Sequence, residues 1–163
     1  MTVGPPTRED LEQVRQWRNL IPEALRTPFM LTEEQQEHYY LQLCDRSAPV
    51  RMWCFYEAHE LLGFGGLQGI QWENGRAEIS LVLNPALRRK GWGTKIVDEI
   101  LRRAFQDLRL LTVVAEVYRC NPAIEFWERI AGGWGAKKTS LPRTKYWQGR
   151  LFDSLILTFV EPG

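Results

Sequence analysis

Asn84-Pro85-Ala86-Leu87-Arg88-Arg89-Lys90-Gly91-Trp92-Gly93-Thr94 links the end of a predicted strand to the start of a predicted helix. Asn84-Pro85 stops the strand, and after Gly93 the apolar spacing becomes helical. The first amides of a helix have no partner within it. The aligned peptide dipoles add partial positive charge at that end, and glycines let a ligand come close to the backbone. With Arg88, Arg89 and Lys90 alongside, the turn reads as a pocket for a phosphate or pyrophosphate. Taken alone, a basic turn of this kind also reads as a solvated loop. It lacks the Gly-Lys-Ser/Thr of a P-loop. It also lacks the dinucleotide fingerprint, because Ile96 stands where the third glycine belongs.

The elements around this turn read as an alternating chain. Thr7 caps a predicted helix that sets Leu11, Val14, Trp17 and Leu20 on one side, and Pro22 marks its end. Thr32 to Gln35 is a capping box opening a second helix towards Leu43. Strands are predicted at Arg51 to Glu57, Leu61 to Ile70 and Arg76 to about Leu83. The turns between them fall at Ala58-His59-Glu60 and at a tight Asn74-Gly75 hairpin. These three strands are close enough in sequence to be antiparallel.

Beyond the basic turn, Ile96, Val97, Ile100, Leu101, Ala104 and Phe105 form an apolar helical stripe. Leu110 to Tyr118 is a strand rich in Val and Leu, as expected when both faces are covered. Strand, helix and strand make a crossover unit, which predicts a parallel pair. Asn121-Pro122 opens the next helix, with Phe126, Trp127 and Ile130 on its buried side and Gly132-Gly133 as its stop. Strands around 134–140 and 151–160 close the chain. The order predicts one α/β domain over residues 1–163, with a central mixed, mostly antiparallel sheet flanked by helices.

Bulk properties narrow the function classes. A chain of 163 residues suits one domain. With a formal charge of +1, no global field draws it to nucleic acid, so an anion site must be local. No apolar run approaches the ~20 residues that span a bilayer, and a cytoplasmic location is expected. Cys44, Cys54 and Cys120 form no metal-ligand spacing with each other or with His38 and His59. No metal is expected, and the thiols read as reduced.

Arg88-x-x-Gly91-x-Gly93 resembles the Q/R-x-x-G-x-G/A signature of the GNAT superfamily of N-acetyltransferases. Ala77-Glu78-Ile79 resembles the family's A-E-I strand, and Asn121-Pro122-Ala123-Ile124-Glu125-Phe126-Trp127-Glu128 resembles its N-x-x-A-I-x-F-Y-E helix. Trp17-Arg18-Asn19 and Gly149-x-x-x-Asp153 resemble a subgroup that includes ribosomal-protein and amino-sugar-nucleotide N-acetyltransferases. The resemblance runs through nearly the whole chain and implies the GNAT fold with acetyl-CoA as cosubstrate. It implies that Arg88, Arg89, Lys90, Gly91, Trp92, Gly93 and Thr94 hold the pyrophosphate of coenzyme A. Leu81, Val82 and Leu83 would offer backbone groups to the pantetheine arm, where two parallel strands splay apart. Asn121 would bond that arm and Trp127 pack against it, while Asn121 also caps its helix.

Acetyl transfer requires a neutral amine, and an ammonium with a pKa near ~10 must first lose a proton. Glu78 is the leading candidate base, since a carboxylate between Ala77 and Ile79 is unusual in a strand unless paired or used. An ion pair with Arg76 or Arg119 is its structural alternative. Glu116, on the following strand, is the second candidate. The family's usual acid is a Tyr where this chain has Trp127, whose indole N–H is no acid near neutral pH. Tyr118 and Cys120 lie nearby and offer replacements. Trp17, Arg18, Phe29, Met30 and Tyr146 come from regions that flank the acceptor groove in relatives, although Trp17 and Phe29 also suit a core. The implied activity is transfer from acetyl-CoA to a primary amine on a small molecule, amino sugar, protein N-terminus or modified base. A non-catalytic coenzyme A-binding module is the alternative. Dimers are common among similar proteins, so a homodimer is possible.

Overall fold

The computed structural model describes residues 1–161. Its seven strands form one sheet in the order β1-β2-β3-β4-β5-β7-β6. The strands are β1 (Thr2–Gly4), β2 (Arg51–Glu57), β3 (Glu60–Gln71), β4 (Arg76–Leu83), β5 (Thr112–Tyr118), β6 (Lys137–Trp147) and β7 (Arg150–Val160). The helices are α1 (Arg8–Asn19), α2 (Glu33–Cys44), α3 (Trp92–Arg102), which continues as a π turn over Arg103–Asp107, and α4 (Ile124–Trp134). Only β4 and β5 are parallel. Every other neighbouring pair is antiparallel, so the mixed, mostly antiparallel sheet expected from the sequence is the one observed.

Period-two alternation sorts the sheet into two faces. Ala77 and Ile79 of β4, Val113, Ala115 and Val117 of β5, and Leu155 and Leu157 of β7 bury into one core with α3 and α4. There Ile96 and Ile100 are fully enclosed, each contributing roughly 1.5–3 kcal/mol by leaving water. Gly63 and Gly65 of β3 let α3 come this close. A Cβ at Gly65 would lie 3.0 Å from Ile100 Cδ1 and 2.8 Å from the Ser80 carbonyl. On the opposite face, Leu11 and Val14 of α1 pack on Met52, Cys54, Phe64 and Val82. That second layer covers only the β2–β4 half. The face of β4, β5, β7 and β6 carrying Glu78, Glu116 and Ile156 is left as an open groove of about 490 Å³.

The capping box of Thr32 with Gln35 is present, and Thr7 caps α1 within a second box that it forms with Asp10. Several boundaries differ from expectation. Helix α1 stops at Asn19, so Leu20 becomes its cap and is exposed. The β3–β4 connection is not a two-residue turn: Trp72–Asn74 form a short 3-10 turn and only Gly75 takes positive φ. The tight turn lies instead at Ala58-His59, both at positive φ, and Glu60 already pairs with Glu57. Helix α4 starts at Ile124, because Asn121 Oδ1 accepts from the Ala123 amide (2.8 Å) in a turn that precedes the helix. Gly132-Gly133 lie within α4, which ends at Gly135 with φ 64°.

Strand β6 runs well past Ser140, through a bulge between Leu141 and Lys145. The carboxylate of Asp153 pins that bulge by accepting from the Arg143 amide at 2.9 Å. Strand β1 had no sequence signal, since three residues are too few to show alternation. Among the described residues no helix is long and apolar enough to cross a membrane.

Candidate active site

Strand β4 ends where Asn84 ties the chain down. Its amide donates to the Leu62 carbonyl at 2.9 Å, its Nδ2 donates to the Leu61 carbonyl at 3.1 Å, and its Oδ1 accepts from the Ala86 amide at 3.0 Å. Arg89 (φ 63°) and Gly91 (φ 81°) then turn the backbone into α3. Gly91 is the N-cap and no side chain caps the helix. The first intrahelical bond runs from the Lys95 amide to the Gly91 carbonyl, 3.4 Å, so the amides of Trp92, Gly93 and Thr94 have no helical partner. A Cβ at Gly91 would meet nothing within 4 Å, so the turn is open to solvent on that side. Arg88, Arg89 and Lys90 are exposed around it and, among the described residues, join no ion pair. Free amides, helix dipole and three cations suit a diphosphate.

Gly93 is glycine for another reason. A Cβ there would sit 2.9 Å from Phe126 Cε2 and 3.0 Å from Leu83 Cδ1. The missing side chain lets α3 pack closely on α4 and β4, while the Gly93 amide stays among those without a helical partner.

Beside this turn the sheet opens. β4 and β5 pair only at Arg76–Thr112, Ala77–Val113 and Glu78–Val114. β4 stays paired to β3 as far as Leu83, and β5 to β7 as far as Tyr118. The facing edges of the two parallel strands are therefore unpaired over Ile79–Leu83 and Ala115–Tyr118. Backbone donors and acceptors without partners are costly away from water, so the wedge suits an extended chain with amide groups. On this stretch the side chains of Leu81 and Leu83 lean on the α3 core and that of Val82 is buried against α1, which leaves the backbone to face the wedge.

Glu78 and Glu116 leave the sheet on the groove face. Glu78 accepts from Arg26 Nη2 at 2.8 Å and from Gln68 Nε2 at 3.3 Å. Glu116 accepts from Ser154 Oγ at 2.7 Å, and Ser154 bonds in turn to Thr144. Its other oxygen lies 3.6 Å from the same Arg26 nitrogen. The partner of Glu78 is thus neither Arg76 nor Arg119. Arg76 points along the same groove, and Arg119 pairs with Glu128 at 3.2 Å. For Arg26, burial works against the charge, but Glu78 and Tyr118 outweigh it and raise its pKa.

Tyr118 is buried beneath the Lys145 ammonium, which lies 5.1 Å from its ring centre and 5.9 Å from that of Trp147. Lys145 is only 4% exposed and donates to the Leu25 carbonyl. Cys120 Sγ reaches the Glu23 carbonyl at 3.5 Å, and burial, the largest influence on it, raises its thiol pKa.

The expected acceptor-side residues divide. Trp17 packs partly on the α1 layer. The buried Nε of Arg18 has no partner among the described residues, and burial lowers its pKa against the opposing charge of Tyr39. Asn19 closes the base of the α1–α2 loop, exchanging bonds with the amide and carbonyl of Leu31 at 2.8 and 3.1 Å. Phe29 and Met30 stand in solvent, Phe29 at 76% exposure, so Phe29 is not a core residue. Tyr146 is exposed on β6. Trp127 is buried in the main core, edge-on to Phe126 with ring centres 5.4 Å apart. Arg26, Gln68, Lys145 and Ser154 had no local sequence signal, because each acts through a partner at least ten residues away.

The model of the acetyltransferase (GNAT) family matches residues 11–132. No curated protein sequence matches the chain. Among solved structures, spermidine N-acetyltransferase from Vibrio cholerae in complex with CoA and spermine superposes with TM-score 0.85 at 20% identity, covering 98% of this chain and 95% of that one. Ribosomal-protein-alanine N-acetyltransferase from Brucella melitensis gives 0.81 at 15% identity, covering 98% and 99%. The putative acetyltransferase yncA from Salmonella typhimurium, solved with acetyl-CoA, gives 0.82 at 15%, covering 100% and 95%. At these identities the structural likeness is one of fold.

Proposed function

Because the chain belongs to the GNAT family of acetyltransferases, we propose that it moves an acetyl group from acetyl-CoA to a primary amine, which attacks directly while both substrates are bound. The observation that carries this reading is the parting of β4 from β5 beside an uncapped helix N-terminus, with two carboxylates on the adjoining groove. Acetyl-CoA supplies an activated thioester carbonyl. The amides of Trp92, Gly93 and Thr94, with Arg88, Arg89 and Lys90, hold its diphosphate. The free edge of β4 at Leu81, Val82 and Leu83 aligns the amide-bearing arm, and Asn121, whose amide bonds the Tyr118 carbonyl at the end of β5, bonds the same arm.

Glu78 receives the proton that the acceptor must shed, directly or through a water molecule. Its position at the last paired residue of β4, before the strands part, puts the base next to the end of the arm. Glu116, held by Ser154, is the second carboxylate and holds the charged amine by its own charge. Tyr118, two residues beyond Glu116 on β5, returns a proton to the leaving thiolate. Trp17, Arg18, Phe29, Met30 and Tyr146 surround the acceptor's approach.

The test has two parts. Thiol release from acetyl-CoA is followed against a panel of small amines, amino sugars, peptides and modified nucleosides, with products identified by mass. Glu78→Gln is then compared with the parent. Turnover is expected to fall about 10²–10⁴-fold at neutral pH, with acetyl-CoA affinity retained. Acetyl-CoA binding without transfer to any amine would favour a non-catalytic module, and unchanged turnover in Glu78→Gln would take this carboxylate out of the reaction.

A further inference from the structure

We propose that Arg26 is a built-in occupant of the place where the acceptor's ammonium binds, so that a cationic amine enters by exchange with this guanidinium. The proposal rests on the reading of Glu78 as the group that meets the acceptor. One nitrogen, Nη2, is 2.8 Å from Glu78 and 3.6 Å from Glu116. It therefore bonds one carboxylate and lies within ion-pair distance of the other, where an incoming ammonium would also sit.

The backbone beneath Arg26 is fixed. Leu25 is buried, its carbonyl is bound by Lys145, and the Glu23 carbonyl is met by Cys120. The side chain itself is free to swing, being 61% exposed. Rigid delivery with a loose side chain is what an exchangeable plug requires. The exchange also solves an electrostatic problem, because two carboxylates sharing one cleft repel unless a cation lies between them. Arg26 supplies that cation before the acceptor arrives. An acceptor that is neutral and stays neutral has nothing to offer the pair in return, so the device selects amines that arrive protonated.

An ion pair this exposed is weak. Arg26→Ala is therefore expected to lower KM for the best amine of the panel by about two- to fivefold, with KM for acetyl-CoA unchanged. A rise in acceptor KM would mean that Arg26 holds the acceptor instead, and an unchanged value would mean that the two never compete; either overturns the proposal. A second measurement needs no turnover. Protein labelled at arginine is titrated with benzylamine without acetyl-CoA, and the Arg26 guanidinium resonance, assigned with Arg26→Lys, is followed by NMR. A saturable shift with benzylamine and none with benzyl alcohol is expected, and equal responses to the two would overturn the exchange. Displacement without acetyl transfer to any amine would remove the enzymatic reading and leave the occupant in place. Transfer without displacement would do the reverse.

Discussion

Gly91 and Gly93 stand two residues apart and are glycine for different reasons. At Gly91 the backbone has φ 81° and open space ahead. Gly91→Ala should cost roughly 1 kcal/mol of stability, the usual penalty for a side chain in this region, and place a methyl group where the diphosphate is proposed to lie. At Gly93 the methyl would strike the Phe126 ring at 2.9 Å, and such overpacking costs roughly 1–3 kcal/mol. Thermal unfolding and acetyl-CoA titration separate the two. Gly91→Ala should lose mainly affinity and Gly93→Ala mainly stability, with Phe126→Leu restoring part of the latter. Equal losses in both variants would contradict this division.

The cysteines separate in the same residue-level way. Cys44 is exposed and Cys54 buried, and burial, with the nearby Asp10, pushes the Cys54 thiol up to about 12. Thiolate is the reactive form. At pH 8, four units below that value, only about one Cys54 in 10⁴ carries it. A thiol reagent at pH 8 should thus modify Cys44 promptly and Cys54 only after denaturation. Prompt modification of Cys54 in the folded protein would show that α1 does not seal this site.

At the scale of elements, the start of α3 joins two effects that respond to salt differently. The amides and dipole act at contact, whereas exposed Arg88, Arg89 and Lys90 act through solvent and are screened over about 8–10 Å at ordinary ionic strength. KM for acetyl-CoA should therefore rise with added salt. Arg89→Gln should raise it at low salt and flatten the dependence. A slope identical to the parent's would exclude Arg89 from diphosphate binding. Much of this element was legible in the sequence, because a cap, a basic turn and an apolar stripe are all local signals. The end of α4 was less so. Gly132-Gly133 reads as a stop, yet α4 continues because Ile130 and Ala131 before the pair and Trp134 after it pack on the core. Burial of that stripe outweighs the weak helix propensity of two glycines.

At the scale of the whole molecule, Lys145 connects distant parts of the chain. It reaches from β6 to the Leu25 carbonyl, 120 residues away in sequence, and so joins the hairpin at one end of the sheet to the loop that carries Arg26. Lys145→Met keeps the apolar stem and removes the charge. Overall stability should fall by roughly 1–3 kcal/mol, because the Leu25 carbonyl loses its buried donor. The loop over residues 20–31 should exchange its amide hydrogens faster by more than this overall loss accounts for, while acetyl-CoA affinity stays the same. Unaltered exchange in that loop would show that Asn19 and Leu31 hold it without Lys145.

The sequence by itself determined the type and order of every long strand and helix, the parallel crossover, the basic glycine-containing turn before α3 and the family, because each is carried by short motifs and local apolar spacing. Only the tertiary structure decided how far β4 and β5 stay paired, that Trp127 belongs to the core, that Gly93 serves packing, and that Arg26 rather than Arg76 or Arg119 meets Glu78. Those outcomes depend on which surfaces come together once the sheet has closed. Two side chains 52 residues apart leave no periodicity, cap or turn signal in the sequence that joins them.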